Sequence, residues 1–186
     1  CREIARRVDP LPVSVEVTVN EPDGMLEQAR EFASWGRNIN VKVPIHGPAG
    51  GTENLRVVHE LETRVGIRVN VTAMMSAQQC LLAAFSGASF VSLFGGRVND
   101  MGHDAREEVR GLRALLDAFQ LRAKIIVGST REVRNIIEWF QAGADIVTAA
   151  PKLLEGMLVH PYSMETVRQF LRDGERLGQS GDRVNV

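Results

Sequence analysis

Six short apolar stretches stand out, at 13–17, 39–45, 67–74, 90–94, 124–128 and 146–150, and in the first three apolar and polar positions alternate with a period of two. Each is rich in Val, Ile or Phe and bounded by turn residues, a pattern that predicts strands. Between them the apolar spacing lengthens to the i, i+3, i+4 rhythm of amphipathic helices. Met25, Ala29, Phe32 and Ala33 form the first stripe, and Leu55, Val58, Leu61 and Val65 the second. Leu81, Leu82 and Phe85 follow, then Val109, Leu112, Leu116 and Phe119. Val133, Ile136, Ile137 and Phe140 make the next stripe, and Val167, Phe170 and Leu171 the last. Ser76, Asp104, Thr130 and Ser163 stand where helix N-caps belong, and Gly66, Gly87 and Gly143 where helices end. "FSGASFV" and "QAGADIV" repeat the same helix–Gly–strand join. Strict alternation of strand and helix predicts an α/β fold with a parallel sheet.

The two faces of the strands separate a barrel from an open sheet. Val13, Val15 and Val17 oppose Ser14, Glu16 and Thr18. Ile39, Val41, Val43 and Ile45 oppose Asn40 and Lys42, and Ile67, Val69, Val71 and Ala73 oppose Asn70 and Thr72. A doubly wound sheet carries helices on both faces and needs both apolar. One aliphatic face and one polar face suit a TIM (β/α)8 barrel, with helices outside and polar groups in the lumen. No glycine-rich dinucleotide fingerprint or P-loop follows a strand. The opening "CREIARRVDP" reads as the tail of a helix. The expectation is therefore six of eight βα units, strands 3 to 8, in a single partial barrel domain over 1–186. The first two strands are then missing, upstream of Cys1.

Composition adds exclusions. The 186 residues are 44% hydrophobic and 24% charged, with a formal net charge of -1. That suits a soluble globular domain, and no bulk field invites nucleic acid or an anionic membrane. No apolar run approaches the roughly 18 residues that span a bilayer. Cys1 is terminal and Cys80 sits in a helical pattern, so neither a disulfide framework nor a metal cluster is expected, and a cytoplasmic location is the default. His46, His59, His103 and His160 lack metal-ligand spacing. Met74, Met75 and Trp139 read as packing residues.

Lys42 is the position that packing does not explain. It lies between Val41 and Val43 in a strand, where an ammonium needs a partner, an opening to water, or loss of its proton. It is either a strand-end lysine whose head reaches solvent or a Schiff-base lysine, whose neutral amine attacks a carbonyl. Glu16 and Thr72 fall on neighbouring strands on the same side. Glu16 can move protons during imine formation, directly or through a water held by the Thr72 hydroxyl, or it can simply pair with Lys42. Asn70 and Thr72 can equally be hydrogen-bonded interior residues. "GSTREV", 128–133, closes one strand and opens a helix, and Ser129 and Arg131 there suit a phosphate. Counting two missing strands, this loop follows the seventh, a common phosphate site in barrels. Arg97 supplies a second cation. Ordinary capping and surface charge remain the alternative for this group.

"VSVEV", "NVKVP", "NVTAM", "SLFGGR" and "GSTRE", in this order and spacing, resemble the transaldolase family of class I aldolases, from about Arg2 to about Leu171. The resemblance implies Lys42 as the Schiff-base lysine and Glu16 as acid/base acting with a water on Thr72. It implies Asn70 and Ser92 as contacts to a bound dihydroxyacetone unit, Phe94 as a wall, and Arg97, Ser129 and Arg131 as phosphate ligands. Glu16 and Phe94 are of the transaldolase type; the short fructose-6-phosphate aldolases carry Gln and Tyr there. The implied reaction transfers a dihydroxyacetone unit between sugar phosphates without metal or organic cofactor, as part of carbohydrate metabolism such as the pentose phosphate pathway. A cleaving aldolase of the fructose-6-phosphate aldolase type and an inactive sugar-phosphate-binding relative stay open, as does a homo-oligomer. Gly95 and "RVNDMGHDAREE" depart from the commonest family wording. The family's acid/base aspartate and its threonine–asparagine segment lie on strands outside this sequence.

Overall fold

A computed structural model describes residues 1–180, which fall into two compact units, Cys1–Thr148 and a second beginning at Ala149. The first unit alternates as the hydrophobic pattern predicts. Its elements are α1 (Arg2–Val8), β1 (Val13–Glu16), α2 (Pro22–Ala33), β2 (Ile39–Pro44), α3 (Glu53–Glu60), β3 (Val69–Met74) and α4 (Ala77–Phe85). They continue with β4 (Phe90–Leu93), α5 (Gly95–Asp100), α6 (Ala105–Ala118), β5 (Lys124–Val127), α7 (Val133–Ala142) and β6 (Ile146–Val147). The second unit holds α8 (Pro151–Leu158) and α9 (Pro161–Ser180).

The six strands are all parallel, and each pairs with its neighbours in sequence, in the order β1-β2-β3-β4-β5-β6. A doubly wound sheet reverses direction partway, and this one does not. Ser14 of β1 and Ile146 of β6 border the same cavity, which requires the sheet to curl. Its convex face is the core. Val41, Val43, Val69, Val71, Val91, Ile125 and Val127 are fully buried there, together with Met25, Ala29, Val58, Val109, Leu112 and Leu116 of the helices. Full burial of each larger side chain is worth about 1.5–3 kcal/mol, so this one-sided apolar face fixes which way the strands point.

Several local expectations shift. Ile67 stays outside β3 because a π-helical turn at Leu61–Val65 closes at left-handed Gly66, and the Ile67 N–H returns to the Leu61 carbonyl at 2.8 Å. In α4 the buried face is Cys80, Ala83 and Ala84, while Leu82 and Phe85 are exposed. Small residues face the sheet there, and the larger ones turn outward. Phe85 stacks edge-to-face on Phe119, also exposed, with ring centroids 5.3 Å apart. In α7 Ile136 and Trp139 are buried, whereas Ile137 and Phe140 lie exposed. Val167, Phe170 and Leu171 are exposed on α9. Ser76 and Asp104 cap α4 and α6 as expected. Thr130 does not cap α7, since Glu132 and Asn135 form a capping box two residues later. Ser163 lies inside α9, which already begins at Pro161. No helix among the described residues is long and apolar enough to cross a membrane.

Candidate active site

Strand register brings the central pair together. Glu16 lies opposite Lys42 across β1 and β2, and Lys42 Nζ donates to Glu16 Oε2 at 3.0 Å. The lysine side chain is 27% exposed and the glutamate side chain 49%, so the cation has both a partner and a path to water. An ion pair this open contributes about 0–1 kcal/mol to stability.

Lys42 stands in the wall of a cavity of about 450 Å³ on the concave side of the sheet. Asn70, Ser92, Phe94 and Ser129 line the same cavity. Asn70 is opposite Lys42 on β3 and buried. Its amide Nδ2 donates to Ser14 Oγ at 3.0 Å, and its Oδ1 accepts from Ser92 Oγ at 2.7 Å. This chain of three polar groups crosses β1, β3 and β4, and holds Ser92 in one orientation.

Thr72 is placed differently. It is 2% exposed, its Oγ1 has no hydrogen-bond partner among the described residues, and it does not border the cavity. The register of β3 against β4 slips between Val71 and Met74, and Ala73 takes a left-handed φ of 60°. A bulge of this kind re-aims the side chains beside it.

The loops after β4 and β5 meet at the mouth. The Gly96 N–H approaches the Gly128 carbonyl at 3.4 Å, and a methyl group on Gly96 would lie 1.6 Å from the Ser129 carbonyl oxygen. Gly95 is equally constrained, because a methyl there would lie 2.7 Å from Val127 and 2.8 Å from the buried ring of Trp139. The departure at Gly95 thus makes room for Trp139. Ser129, at φ 64°, reaches the cavity, whereas the two arginines do not line it. Arg97 lies over the Phe94 ring at 5.0 Å, one contact removed. Arg131 pairs with Asp100 at 2.8 Å on the surface. The start of α7 is also not open to a ligand as the sequence suggests. Asn135 Oδ1 accepts from both the Arg131 and Glu132 N–H groups, at 3.3 and 3.1 Å.

Ser14, Asn40, Gly128 and Thr148 also line the cavity and were not among the expected site residues. Ser14 and Asn40 share the polar strand face with Lys42, which was the available signal. Among the described residues no group of three or more His, Cys, Asp or Glu stands close enough to hold a metal ion. A groove of about 570 Å³ on the outer face, between α2, α3 and α4, includes Arg56, Glu60 and Arg64. It lacks a lysine set against an apolar wall.

The chain thus sets a lysine–carboxylate pair beside a polar cavity on one face of a one-way parallel α/β sheet. The chain belongs to the transaldolase/fructose-6-phosphate aldolase family, whose model matches residues 1–185. It is 41% identical over 172 residues to a probable transaldolase of Roseiflexus sp. (strain RS-1), covering 92% of this chain and 76% of that one. It is 41% identical over 176 residues to a probable transaldolase of Desulforudis audaxviator (strain MP104C), covering 95% and 79%. A probable transaldolase 2 of Listeria monocytogenes serovar 1/2a (strain ATCC BAA-679 / EGD-e) is 38% identical over 178 residues, covering 96% and 78%. Among solved structures, mandelate oxidase with benzoyl-formic acid superposes with a TM-score of 0.55 at 12% identity, covering 80% of this chain. The same enzyme with 3,3-difluoro-2-hydroxy-3-phenylpropionic acid gives 0.56 at 12% identity. The chain spans about half the length of these two, 51% in each case, and the likeness is one of fold alone.

Proposed function

We propose that the protein is a transaldolase, which moves a dihydroxyacetone unit between sugar phosphates through an imine on Lys42. The observation that carries this reading is that Lys42, in the wall of a cavity also lined by Asn70, Ser92 and Phe94, holds its Nζ 3.0 Å from Oε2 of Glu16, a residue just outside that lining. Glu16 takes the ammonium proton, and the freed amine lone pair attacks the ketone carbon of the donor. The carbinolamine oxygen then leaves as water, with Glu16 returning a proton to it. Carbon–carbon cleavage sends its electron pair into the protonated imine and leaves an enamine for an acceptor aldose, while the hydroxyl on the departing carbon passes its proton to water and becomes the aldehyde carbonyl. The phosphate lies toward the mouth, at Ser129, with Arg97 and Arg131 swinging in from the surface. We propose further that the curled sheet is part of an eight-stranded (β/α) barrel, a reading supported by its one-way strand order.

The test is borohydride trapping in the presence of fructose 6-phosphate, with the site located by peptide mass. The expected result is one stable adduct on Lys42, lost in Lys42→Arg because arginine stays protonated. An adduct on Lys124 or Lys152, or none, overturns the reading.

A further inference from the structure

We propose that the end of the sheet opposite the Lys42–Glu16 pair carries a separate anion site, which takes the phosphate group of a small molecule. A cavity of about 520 Å³ opens there, the size of an ordinary small-molecule site. Arg68 directly precedes β3, Ser89 directly precedes β4 and Lys124 begins β5, and all three border the cavity together with Arg122. These are the N-terminal ends of the parallel strands. Glu16 closes β1 and Ser129 follows β5, so the chemistry proposed above lies toward the other end. The two cavities share one lining residue, Phe90.

Charge selects the ligand. Arg68, Arg122 and Lys124 bring three cations to one concavity, and no Asp or Glu lines it. The side chains of Arg122 and Lys124 make no ion pair or hydrogen bond among the described residues. Arg68 spends one donor, on the Arg37 carbonyl at 3.5 Å. The carboxylates nearby are committed elsewhere. Glu62 accepts the Val69 and Ser89 N–H groups at 2.6 and 2.7 Å and the Ser89 hydroxyl at 3.1 Å. Asp145 pairs with Arg113 and accepts the Ile125 N–H at 2.7 Å. Like charges gathered in a cleft with low-dielectric walls focus a field that draws an anion. Two guanidinium forks and an ammonium match phosphate oxygens through charge-assisted hydrogen bonds. Ala84, Phe90 and Leu121 add apolar wall, which suits an organic group attached to the phosphate. The enclosed shape, with a formal net charge of -1 on the chain, does not suit a polynucleotide.

The chain has three lysines, Lys42, Lys124 and Lys152, so acetylation read by peptide mass locates a bound phosphate directly. The probes are inorganic phosphate and phenyl phosphate, titrated at constant ionic strength before a brief exposure to N-hydroxysuccinimidyl acetate. A phosphate on Lys124 holds its proton and shields the nitrogen from the reagent. The expected result is saturable protection of Lys124 with Lys152 unaffected, while Lys42 reports separately on phosphate entering the other cavity. Arg122→Gln should raise the half-protecting concentration about tenfold, the loss of one charge-assisted contact, with the melting temperature unchanged. Arg110→Gln removes an exposed cation of α6 outside the cavity lining and should leave that concentration where it is. Tighter protection by phenyl phosphate assigns an organic phosphate to the site, and equal protection assigns the free ion; the site stands in both cases. Absence of protection at Lys124, or equal protection of Lys124 and Lys152, overturns the proposal. So does a half-protecting concentration that Arg122→Gln leaves unmoved, or that Arg110→Gln moves as far, since bulk charge alone then accounts for the effect.

Discussion

Lys42 and Glu16 sit opposite each other on adjacent parallel strands, with Nζ and Oε2 at 3.0 Å. The pair stabilises the fold little, being open to water, and under the proposed mechanism its consequence is chemical. Lys42 Nζ donates to Glu16 Oε2, which sets a carboxylate within hydrogen-bond reach of the amine. Glu16→Gln keeps the shape and removes that acceptor. Rapid-mixing kinetics of imine formation should slow by roughly 10²–10⁴-fold, the range typical of general acid–base groups. The melting temperature should hardly change. Unaltered imine kinetics would reduce Glu16 to a structural counter-ion.

Gly96 carries the close approach of the two loops at the cavity mouth. A methyl there would lie 1.6 Å from the Ser129 carbonyl oxygen, which no rotamer change relieves because the obstacle is backbone. Gly96→Ala should therefore push the Ser129 loop away and cost about 1–3 kcal/mol, the usual range for overpacking. Denaturant melts measure the stability loss. The KM for phosphorylated sugars should rise along with it, because Ser129 is the loop residue that reaches the cavity.

Arg131 must leave Asp100 before it can meet a phosphate. Their 2.8 Å pair is 53% exposed on each side and is therefore weak. Arg131→Ala should raise KM for fructose 6-phosphate about tenfold or more, the loss of one charge-assisted contact, and affect free dihydroxyacetone much less. Asp100→Asn removes the competitor and should lower the same KM. Steady-state kinetics on both donors check this, and parallel losses for both would assign Arg131 to folding instead.

The sheet was legible because burial is one-sided. Valines and isoleucines at alternate positions in β1, β2 and β3 announce both the strand and the face it presents, and a parallel sheet follows from the intervening helices. The contact of Glu16 with Lys42 follows from that same pattern once the strands are in register. What the pattern hides is local backbone geometry. Thr72 has the right parity for the lumen, yet it does not border the cavity, and the backbone irregularity at Ala73 directly follows it. The capping box of Glu132 with Asn135 moves the start of α7 and occupies the amides that "GSTREV" offers on paper. Leu82 and Phe85 fit a helical stripe as well as Cys80, Ala83 and Ala84 do. Only contact with the sheet shows that the small side chains face inward. Asn40 was visible as a polar residue of the luminal face, but that its Oδ1 is buried without a hydrogen-bond partner among the described residues is a tertiary fact.

Asp104 links stability to pH. It is the N-cap of α6, accepting the Arg106 N–H at 2.9 Å, and its carboxylate pairs with the Arg106 guanidinium at 2.7 Å. The guanidinium foremost, and the amide N–H groups of Arg106 and Glu107, hold its pKa down to about 2, against a value of about 3.9 for an unfolded aspartate. A carboxyl whose pKa is depressed by folding adds stability above its unfolded value and loses it as pH falls through the folded value. The contribution is therefore present at neutral pH and disappears between about pH 4 and pH 2. Asp104→Asn preserves a capping oxygen and removes the charge. Because the side chain is 38% exposed, solvent screening limits the difference at pH 7 to no more than about 1 kcal/mol. Urea melts of the two proteins should differ at pH 7 in low salt, converge by about pH 2, and differ less at 1 M salt. A gap that persists unchanged at pH 2 would mean that the amide is a poorer cap, and that the ion pair with Arg106 is not the source of the stability.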